Sequence, residues 1–264
     1  MKIRIISGAV GVAVFALVFF LQLAFASAPI FPVVLCLLAA MAVYELLFAT
    51  GYMKNMFVVA AGMAAAACMV LRIGGVLPIR FIYIVGVYAL VVLAAALKNN
   101  KDIAPLNAAY ALLAACAVGF AFASVLPLMR MADKLFYFWM LFVCAWGSDT
   151  GAYFAGCAFG KHKLAPVLSP KKTIEGFIGG ILFCVALNIG LYFLLFGHGP
   201  GNWFKLIGAA VLFSVAGVIG DITASYIKRA AGIKDYGKLM PGHGGVMDRF
   251  DSVLFIAPIM YIVL

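Results

Sequence analysis

The chain has few charged residues for its length, and acidic residues are the scarcest of them. Of its 264 residues, 11% are charged and only nine are Asp or Glu, whereas 67% are hydrophobic. A soluble domain is typically about half apolar and about a quarter charged. One core in water cannot hide this much apolar surface, so the composition excludes a soluble globular protein and indicates a polytopic membrane protein.

Cysteine and histidine motifs are also lacking. The six cysteines lie in apolar segments without a CxxC pair, and the three histidines are scattered. This excludes a disulfide framework and argues against a zinc site. The basic residues stand singly or in pairs between apolar runs, which is typical of loops beside an anionic membrane face. We therefore expect no nucleic-acid partner.

Long apolar runs predict an all-α fold with about nine transmembrane helices. A span needs about 20 apolar residues, and the candidate runs are roughly 4–26, 28–50, 55–71, 79–97, 104–129, 134–159, 174–197, 203–228 and 250–264. The first run is expected to be a retained span, because it is longer than the apolar region of a signal peptide. We divide this single membrane unit into N-terminal helices in 1–133 and a C-terminal region in 134–264.

Positive charge is unevenly distributed between the two sides of this topology. With nine spans, the side that holds the N terminus carries 14 of the 19 basic residues. Loops rich in Lys and Arg face the cytoplasm. The N terminus and the loops 161–172 and 228–249 are therefore predicted to be cytoplasmic.

Two of the rare carboxylates interrupt predicted spans. Asp149 lies in the sixth and Asp221 in the eighth, each toward the cytoplasmic end. An acid within a span is costly and by default marks a functional site, although a polar pair that fixes helix packing is the alternative. Asp221, Ser225 and Lys228 are spaced i, i+4 and i+7, so they share one helix face, with Arg229 at its edge.

The loop after the eighth span concentrates charge around a glycine-rich turn. Residues 241–245 read PGHGG, in which the glycines allow close backbone approach. Asp248 and Asp251 follow as the last helix begins. Carboxylates on two converging helices, surrounded by Lys and Arg, suit Mg²⁺ bound together with phosphate. The alternative is an interfacial loop whose charges pair only with one another and with lipid headgroups.

A second basic cluster precedes the seventh span. The residues SPKKT at 169–173 lead into a helix that carries Glu175 in its first turns. Proline favours helix starts, and a helix N terminus attracts anions. Lys171, Lys172 and Thr173 are therefore candidates to bind phosphate, and an ordinary positively charged cytoplasmic loop is the alternative.

These motifs resemble the phosphatidate cytidylyltransferase (CDP-diacylglycerol synthase) family, bacterial type. The residues of the family's C-terminal signature are all present at the expected spacings: Ser225, Lys228, Arg229, Lys234, Asp235, Pro241, His243, Gly244, Gly245, Asp248, Arg249 and Asp251. Met240 stands where Leu, Ile or Phe is expected. The segments SDTGAYFAG and SPKKTIEG resemble the family's upstream blocks. The resemblance covers Asp149 to the C terminus, so the C-terminal region 134–264, with about four helices, is expected to be the catalytic region. The first five helices share only general hydropathy.

The resemblance implies a dimeric, multi-pass enzyme of the bacterial cytoplasmic (inner) membrane, surrounded by membrane lipids and with its active site facing the cytoplasm. Such an enzyme uses CTP, phosphatidic acid and Mg²⁺, forms CDP-diacylglycerol in phospholipid biosynthesis and releases pyrophosphate. It also allows K⁺ as a second cation. By analogy Asp221 and Asp248 hold Mg²⁺, and Asp251 is a further ligand or a group behind the ligands. Ser225, Lys228 and Arg229 contact phosphate.

The other matching residues are expected to help bind substrate: Asp149, Lys171, Lys172, Thr173, Lys234, Asp235, Gly244, Gly245 and Arg249. His243 either bonds a phosphate or braces the glycine turn. A related enzyme for another lipid or nucleotide is one alternative. The other is a transporter, which would place its acids nearer the middle of the bilayer, often in repeated halves.

Overall fold

A computed structural model describes residues 13–14, 16–25, 29–98, 103–197, 202–237 and 244–264. In these ranges the chain is mainly helical, which confirms the predicted helical membrane fold. One short two-stranded hairpin departs from the all-α expectation. The first predicted span lies partly outside the described ranges, and its residues 16–24 are helical.

The helices follow in chain order as α1 Ile30–Tyr44, α2 Met56–Ile73, α3 Phe81–Lys98, α4 Pro105–Ala123, α5 Val125–Leu128, α6 Lys134–Phe142, α7 Ser148–Phe159, α8 Ile174–Phe196, α9 Trp203–Ala230 and α10 Met247–Val263. Two π-helical turns, Glu45–Ala49 and Val143–Gly147, directly follow α1 and α6. The strands β1 Lys163–Ala165 and β2 Ser169–Thr173 pair antiparallel between α7 and α8.

Six helical segments in the described ranges are long and apolar enough to cross a membrane. They are Ile30–Ala49, Met56–Ile73, Phe81–Lys98, Pro105–Leu128, Ile174–Phe196 and Trp203–Ala230. Each overlaps a predicted span, so the multi-pass character is confirmed. The total of about nine stays a prediction, since α10 has 17 residues and the first run is only partly described.

The chain forms two compact units. The first comprises Met1–Pro127 and Ala230–Arg249, and the second comprises Leu128–Arg229 and Phe250–Leu264. The predicted assignment of the catalytic region to residues 134–264 concerns function rather than contacts, and it stays a prediction.

Small residues bring the helices of the first unit together. A Cβ atom added to Gly119 of α4 would lie 2.9 Å from the Ala66 Cα and 2.8 Å from the Met69 Sδ, both on α2. Tyr88 of α3 is buried, and its hydroxyl donates to the Ala111 carbonyl at 3.3 Å. Because lipid tails are as apolar as the side chains, close packing of this kind is a main source of helix association in membranes.

In the second unit, α7 and α8 pack closely through glycines of α8. A Cβ atom on Gly176 would lie 2.8 Å from the Ala152 carbonyl oxygen, and one on Gly180 would lie 2.7 Å from the Ser148 carbonyl oxygen. Neither position can carry a side chain without moving backbone. This contact fixes the start of α7, which carries Asp149, against the start of α8.

Candidate active site

A cavity of about 470 Å³ in the second unit brings two of the predicted clusters together. Its wall is formed by α7, the β-hairpin, α8 and α9. The charged and hydroxyl side chains that line it are Asp149, Tyr153, Lys163, Lys171, Lys172, Thr173 and Asp221. Acids from α7 and α9 thus face a cluster of lysines in one cavity.

Asp221 has a partner at each of its two carboxylate oxygens. Its Oδ2 forms an ion pair with the Lys172 Nζ, and each side chain is 23% exposed. The Ser225 hydroxyl, one helical turn further along α9, donates to the Asp221 Oδ1 at 3.5 Å, as the i, i+4 spacing predicts. The sequence assigned Lys172 to phosphate and Asp221 to metal, and it gave no indication that they pair.

The hairpin that carries the lysines is tied to the first turn of α8. The Thr173 hydroxyl oxygen accepts a bond from the Gly176 N–H at 3.1 Å and so caps this helix. The Glu175 carboxylate accepts backbone N–H groups from Lys161 at 3.0 Å and from His162 at 3.2 Å, and it lies 2.6 Å from the His162 Nδ1. The positions of Lys171 and Lys172 are therefore set by the start of the helix.

Asp251 lies on α10 beside the residue that precedes Asp221. A Cβ atom on Gly220 would stand 2.6 Å from the Asp251 carbonyl oxygen, so only glycine permits this approach. The Asp251 side chain is buried, and its Oδ1 accepts the Ser252 N–H at 2.7 Å. Asp221 and Asp251 thus lie on adjacent helices of one unit.

These acids fit the requirements of Mg²⁺, although the described residues contain no group of three or more Asp, Glu, His or Cys side chains that could hold a metal ion. Magnesium commonly binds through one or two carboxylates, and substrate phosphates and water complete its octahedron. Asp221 and Asp251 offer the carboxylate oxygens that such a site needs.

Asp248, the other predicted ligand, belongs to the first unit. It is buried, and its Oδ2 accepts the Tyr236 N–H at 2.8 Å and the Gly245 N–H at 3.0 Å. Gly244 has a φ of 82°, which disfavours residues with a side chain. A Cβ atom there would also lie 2.6 Å from the same oxygen, so both the backbone conformation and the available space require glycine at this signature position. The shared metal ion of Asp221 and Asp248 stays a prediction.

The remaining signature residues that the structure describes lie at the end of α9, in the loop after it and at the start of α10. Lys228 and Arg229 occupy the last turn of α9, where the negative end of the helix dipole favours cations. Lys234, Asp235 and Arg249 are exposed. The signature residues Pro241 and His243 lie outside the described residues, as does Met240.

Sequence reasoning missed one buried acid, Glu45. It interrupts the second apolar run, which is the same indication that singled out Asp149 and Asp221. It was overlooked because no recognisable motif surrounds it. The structure gives it partners in the signature segment, more than 200 residues further along the chain.

The fold and cavity define an integral membrane protein with a polar site in which acids and lysines meet. The family model for cytidylyltransferases matches residues 2–264, so the chain belongs to the cytidylyltransferase family.

Curated bacterial relatives are similar over the larger part of the chain. The phosphatidate cytidylyltransferase of Staphylococcus aureus (strain COL) is 41% identical over 174 residues, which cover 66% of this chain and 65% of the relative. That of Staphylococcus haemolyticus is 41% identical over 159 residues, which cover 60% of each chain. The aligned part therefore spans slightly less than two thirds of the length of these relatives.

Proposed function

We propose that the protein is a Mg²⁺-dependent CTP:phosphatidate cytidylyltransferase, which converts CTP and phosphatidic acid into CDP-diacylglycerol and pyrophosphate. The observation that carries the proposal is the cavity in which Asp221 and Asp149 face Lys171, Lys172 and Thr173. Family membership and the names of the staphylococcal relatives support the same reaction.

In the proposed reaction an oxygen of the lipid phosphate attacks the α-phosphorus of CTP, and the bond from that phosphorus to the bridging oxygen of the β-phosphate breaks. Pyrophosphate leaves with the electron pair. Phosphoryl-type transfer depends mainly on positioning and charge neutralisation. The lysines of the hairpin supply positive charge for this, because ammonium groups bind phosphate oxygens through charge-assisted hydrogen bonds. We place Lys228 and Arg229 in the same role.

We assign Mg²⁺ to Asp221 and Asp248, with Asp251 as a further ligand or a group behind the ligands. When bound, the ion would neutralise negative charge on the CTP phosphates. The oxygen chemistry of these side chains and the packing of Asp251 against α9 support the assignment. K⁺ as a second cation belongs to the same proposal.

The protein need not supply a nucleophile, since the lipid phosphate is already an anion. The candidate nucleophile Ser225 is hydrogen-bonded to Asp221, which is assigned to the metal. Covalent catalysis normally requires a base dedicated to the nucleophile. We therefore propose direct displacement without a cytidylyl-enzyme.

We place the enzyme in the bacterial cytoplasmic membrane as a homodimer, with the N terminus and the site on the cytoplasmic side. The uneven distribution of Lys and Arg supports this orientation. In a cysteine-free background, a cysteine at position 163 should be blocked only by a reagent that enters the cytoplasm, and one at position 199 should react from outside. The opposite labelling pattern would overturn the orientation.

The reaction is tested with purified protein in detergent. Pyrophosphate should be released from CTP only when phosphatidic acid and Mg²⁺ are both present, and CDP-diacylglycerol should form in equal amount. Panels of other lipid phosphates and other nucleoside triphosphates run beside this pair. A clear preference for another lipid and nucleotide would mean that the proposed substrates are wrong. No turnover with any pair would refute the proposed function.

A further inference from the structure

Glu45 is a carboxylate buried in the first helical membrane span that the structure describes. It begins the π-helical turn after α1, and its side chain is only 3% exposed. An acid at such a position is costly unless other groups satisfy it. Its partners therefore show what it does.

Those partners are two consecutive backbone amides at the start of α10. The Glu45 Oε1 accepts the Val246 N–H at 3.0 Å, and its Oε2 accepts the Met247 N–H at 2.8 Å. The first N–H groups of a helix have no acceptor within the helix, and the helix dipole favours negative charge there. Both oxygens of one carboxylate thus satisfy the beginning of the last helix.

Two glycines leave the space that this carboxylate fills. A Cβ atom on Gly245 would overlap the Glu45 carboxylate, and one on Gly237 would lie 2.5 Å from its Oε1. The second glycine of the His-Gly-Gly turn is therefore needed for Glu45, whereas the first, Gly244, is needed for Asp248.

Glu45 and Asp248 divide three consecutive amides between them. Asp248 accepts the N–H of Gly245, and Glu45 accepts the N–H groups of Val246 and Met247. All of these residues lie in the first unit. The backbone that leads into Asp248 is thus held on one side by Asp248 itself and on the other by Glu45.

We propose that Glu45 is a positioning residue that holds the backbone before Asp248 and so sets the place of the Asp248 carboxylate. The N-terminal helices would then contribute to the reaction through this one side chain. The activity readout rests on the function proposed above, and the exchange readout below does not.

The first test compares Glu45→Gln with the wild-type protein. Glutamine keeps the size of the side chain but has one acceptor oxygen in place of two, so one amide loses its partner. Loss of a hydrogen bond to a charged group should speed amide hydrogen exchange at Val246 and Met247 by about tenfold or more, measured without substrate or metal. In the assay, the Mg²⁺ concentration for half-maximal rate should rise about tenfold, while the KM for phosphatidic acid changes less than about twofold.

Thr50→Val is the matched control. Thr50 is buried and directly follows the π-helical turn that Glu45 begins, and its hydroxyl donates to the Leu46 carbonyl at 2.6 Å. Loss of this hydroxyl should leave both the amide exchange at Val246 and Met247 and the Mg²⁺ dependence at the wild-type value. Faster exchange in Glu45→Gln with an unchanged Mg²⁺ dependence would reduce Glu45 to a helix cap and overturn the positioning role. Unchanged exchange would overturn the contact itself.

A double variant keeps the proposal testable if Glu45→Gln does not fold. Gly245→Ala adds a methyl group where the Glu45 carboxylate lies, so it should be strongly damaging alone. Glu45→Asp withdraws the carboxylate by one methylene, and the combination should regain at least about fivefold of the lost activity or folded yield, since groups in contact are not additive. If the double variant instead shows the product of the two separate losses in activity or folded yield, the proposed contact is contradicted. If the wild-type protein fails the CTP assay, the proposed function fails, whereas exchange at Val246 and Met247 still tests whether Glu45 holds this backbone.

Discussion

Replacing Lys172 by methionine should have opposite effects on metal binding and on turnover. Lys172 forms an ion pair with Asp221, the proposed metal ligand. We therefore expect its ammonium to compete with the proposed metal ion for the same carboxylate. In the reaction, however, the same charge is expected to hold phosphate. Methionine retains most of the length of the side chain and removes only the charge.

The exposure of the pair sets the expected magnitude. Each side chain is 23% exposed, which lies between exposed pairs, worth about 0–1 kcal/mol, and buried pairs, whose disruption costs about 3–5 kcal/mol. We expect the lysine to oppose metal binding at Asp221 by about 1–3 kcal/mol, or roughly 5- to 150-fold in affinity. Loss of one charge-stabilising donor from the site should lower kcat by about 100- to 1,000-fold.

Titration with Mn²⁺, followed by electron paramagnetic resonance on substrate-free protein in detergent, measures the first effect. Mn²⁺ prefers oxygen ligands as Mg²⁺ does. Lys163→Met removes an equal charge from the same cavity and leaves the Lys172–Asp221 pair in place. It should change the Mn²⁺ affinity less than about twofold. If Lys172→Met binds Mn²⁺ no more tightly than the wild-type protein, the idea of competition for Asp221 is refuted.

Three further predictions address the ligands, the mechanism and the helix contact. Asp221→Asn and Asp248→Asn should each abolish turnover while the protein still extracts as a folded species, and near wild-type activity at ordinary Mg²⁺ would remove that residue from the ligand set. Labelled pyrophosphate should not enter CTP in lipid-free protein with Mg²⁺, because direct displacement forms no cytidylyl-enzyme, and clear exchange would establish one. Gly180→Ala should destabilise the protein by about 1–3 kcal/mol, because its methyl group would meet α7 backbone. Gly190→Ala on the same helix meets nothing within 4 Å and serves as the control; equal melting temperatures for the two variants would contradict the packing.

Hydropathy was sufficient to predict the helical membrane fold. Runs of about 20 apolar residues have few alternatives to a spanning helix, because lipid offers no partner for an open backbone. The β-hairpin before α8 was not predicted, since its strands have three and five residues and its sequence is mostly basic and polar. The Glu175 carboxylate holds the backbone just before β1, and no local pattern displays this contact.

The candidate site was predictable where a residue with useful chemistry is also energetically costly to place in a membrane span. Asp149 and Asp221 were found because acids within apolar runs are rare, and the cavity now contains both. The ion pair of Lys172 with Asp221 and the contact of Glu45 with the α10 amides could not be found in this way. They join segments that are 49 and more than 200 residues apart, so they follow from tertiary packing and not from spacing.

The long separation between Glu45 and its partners has a consequence for how the protein is made. The Val246 amide is synthesised 201 residues after Glu45. At the usual rate of about 5–20 residues per second, this delay lasts about 10–40 s. Throughout that interval the acid has entered the bilayer region without the amides that later satisfy it. We therefore expect chains that stop before residue 246 to leave a costly carboxylate in the membrane, which would mark incomplete molecules for membrane quality-control proteases.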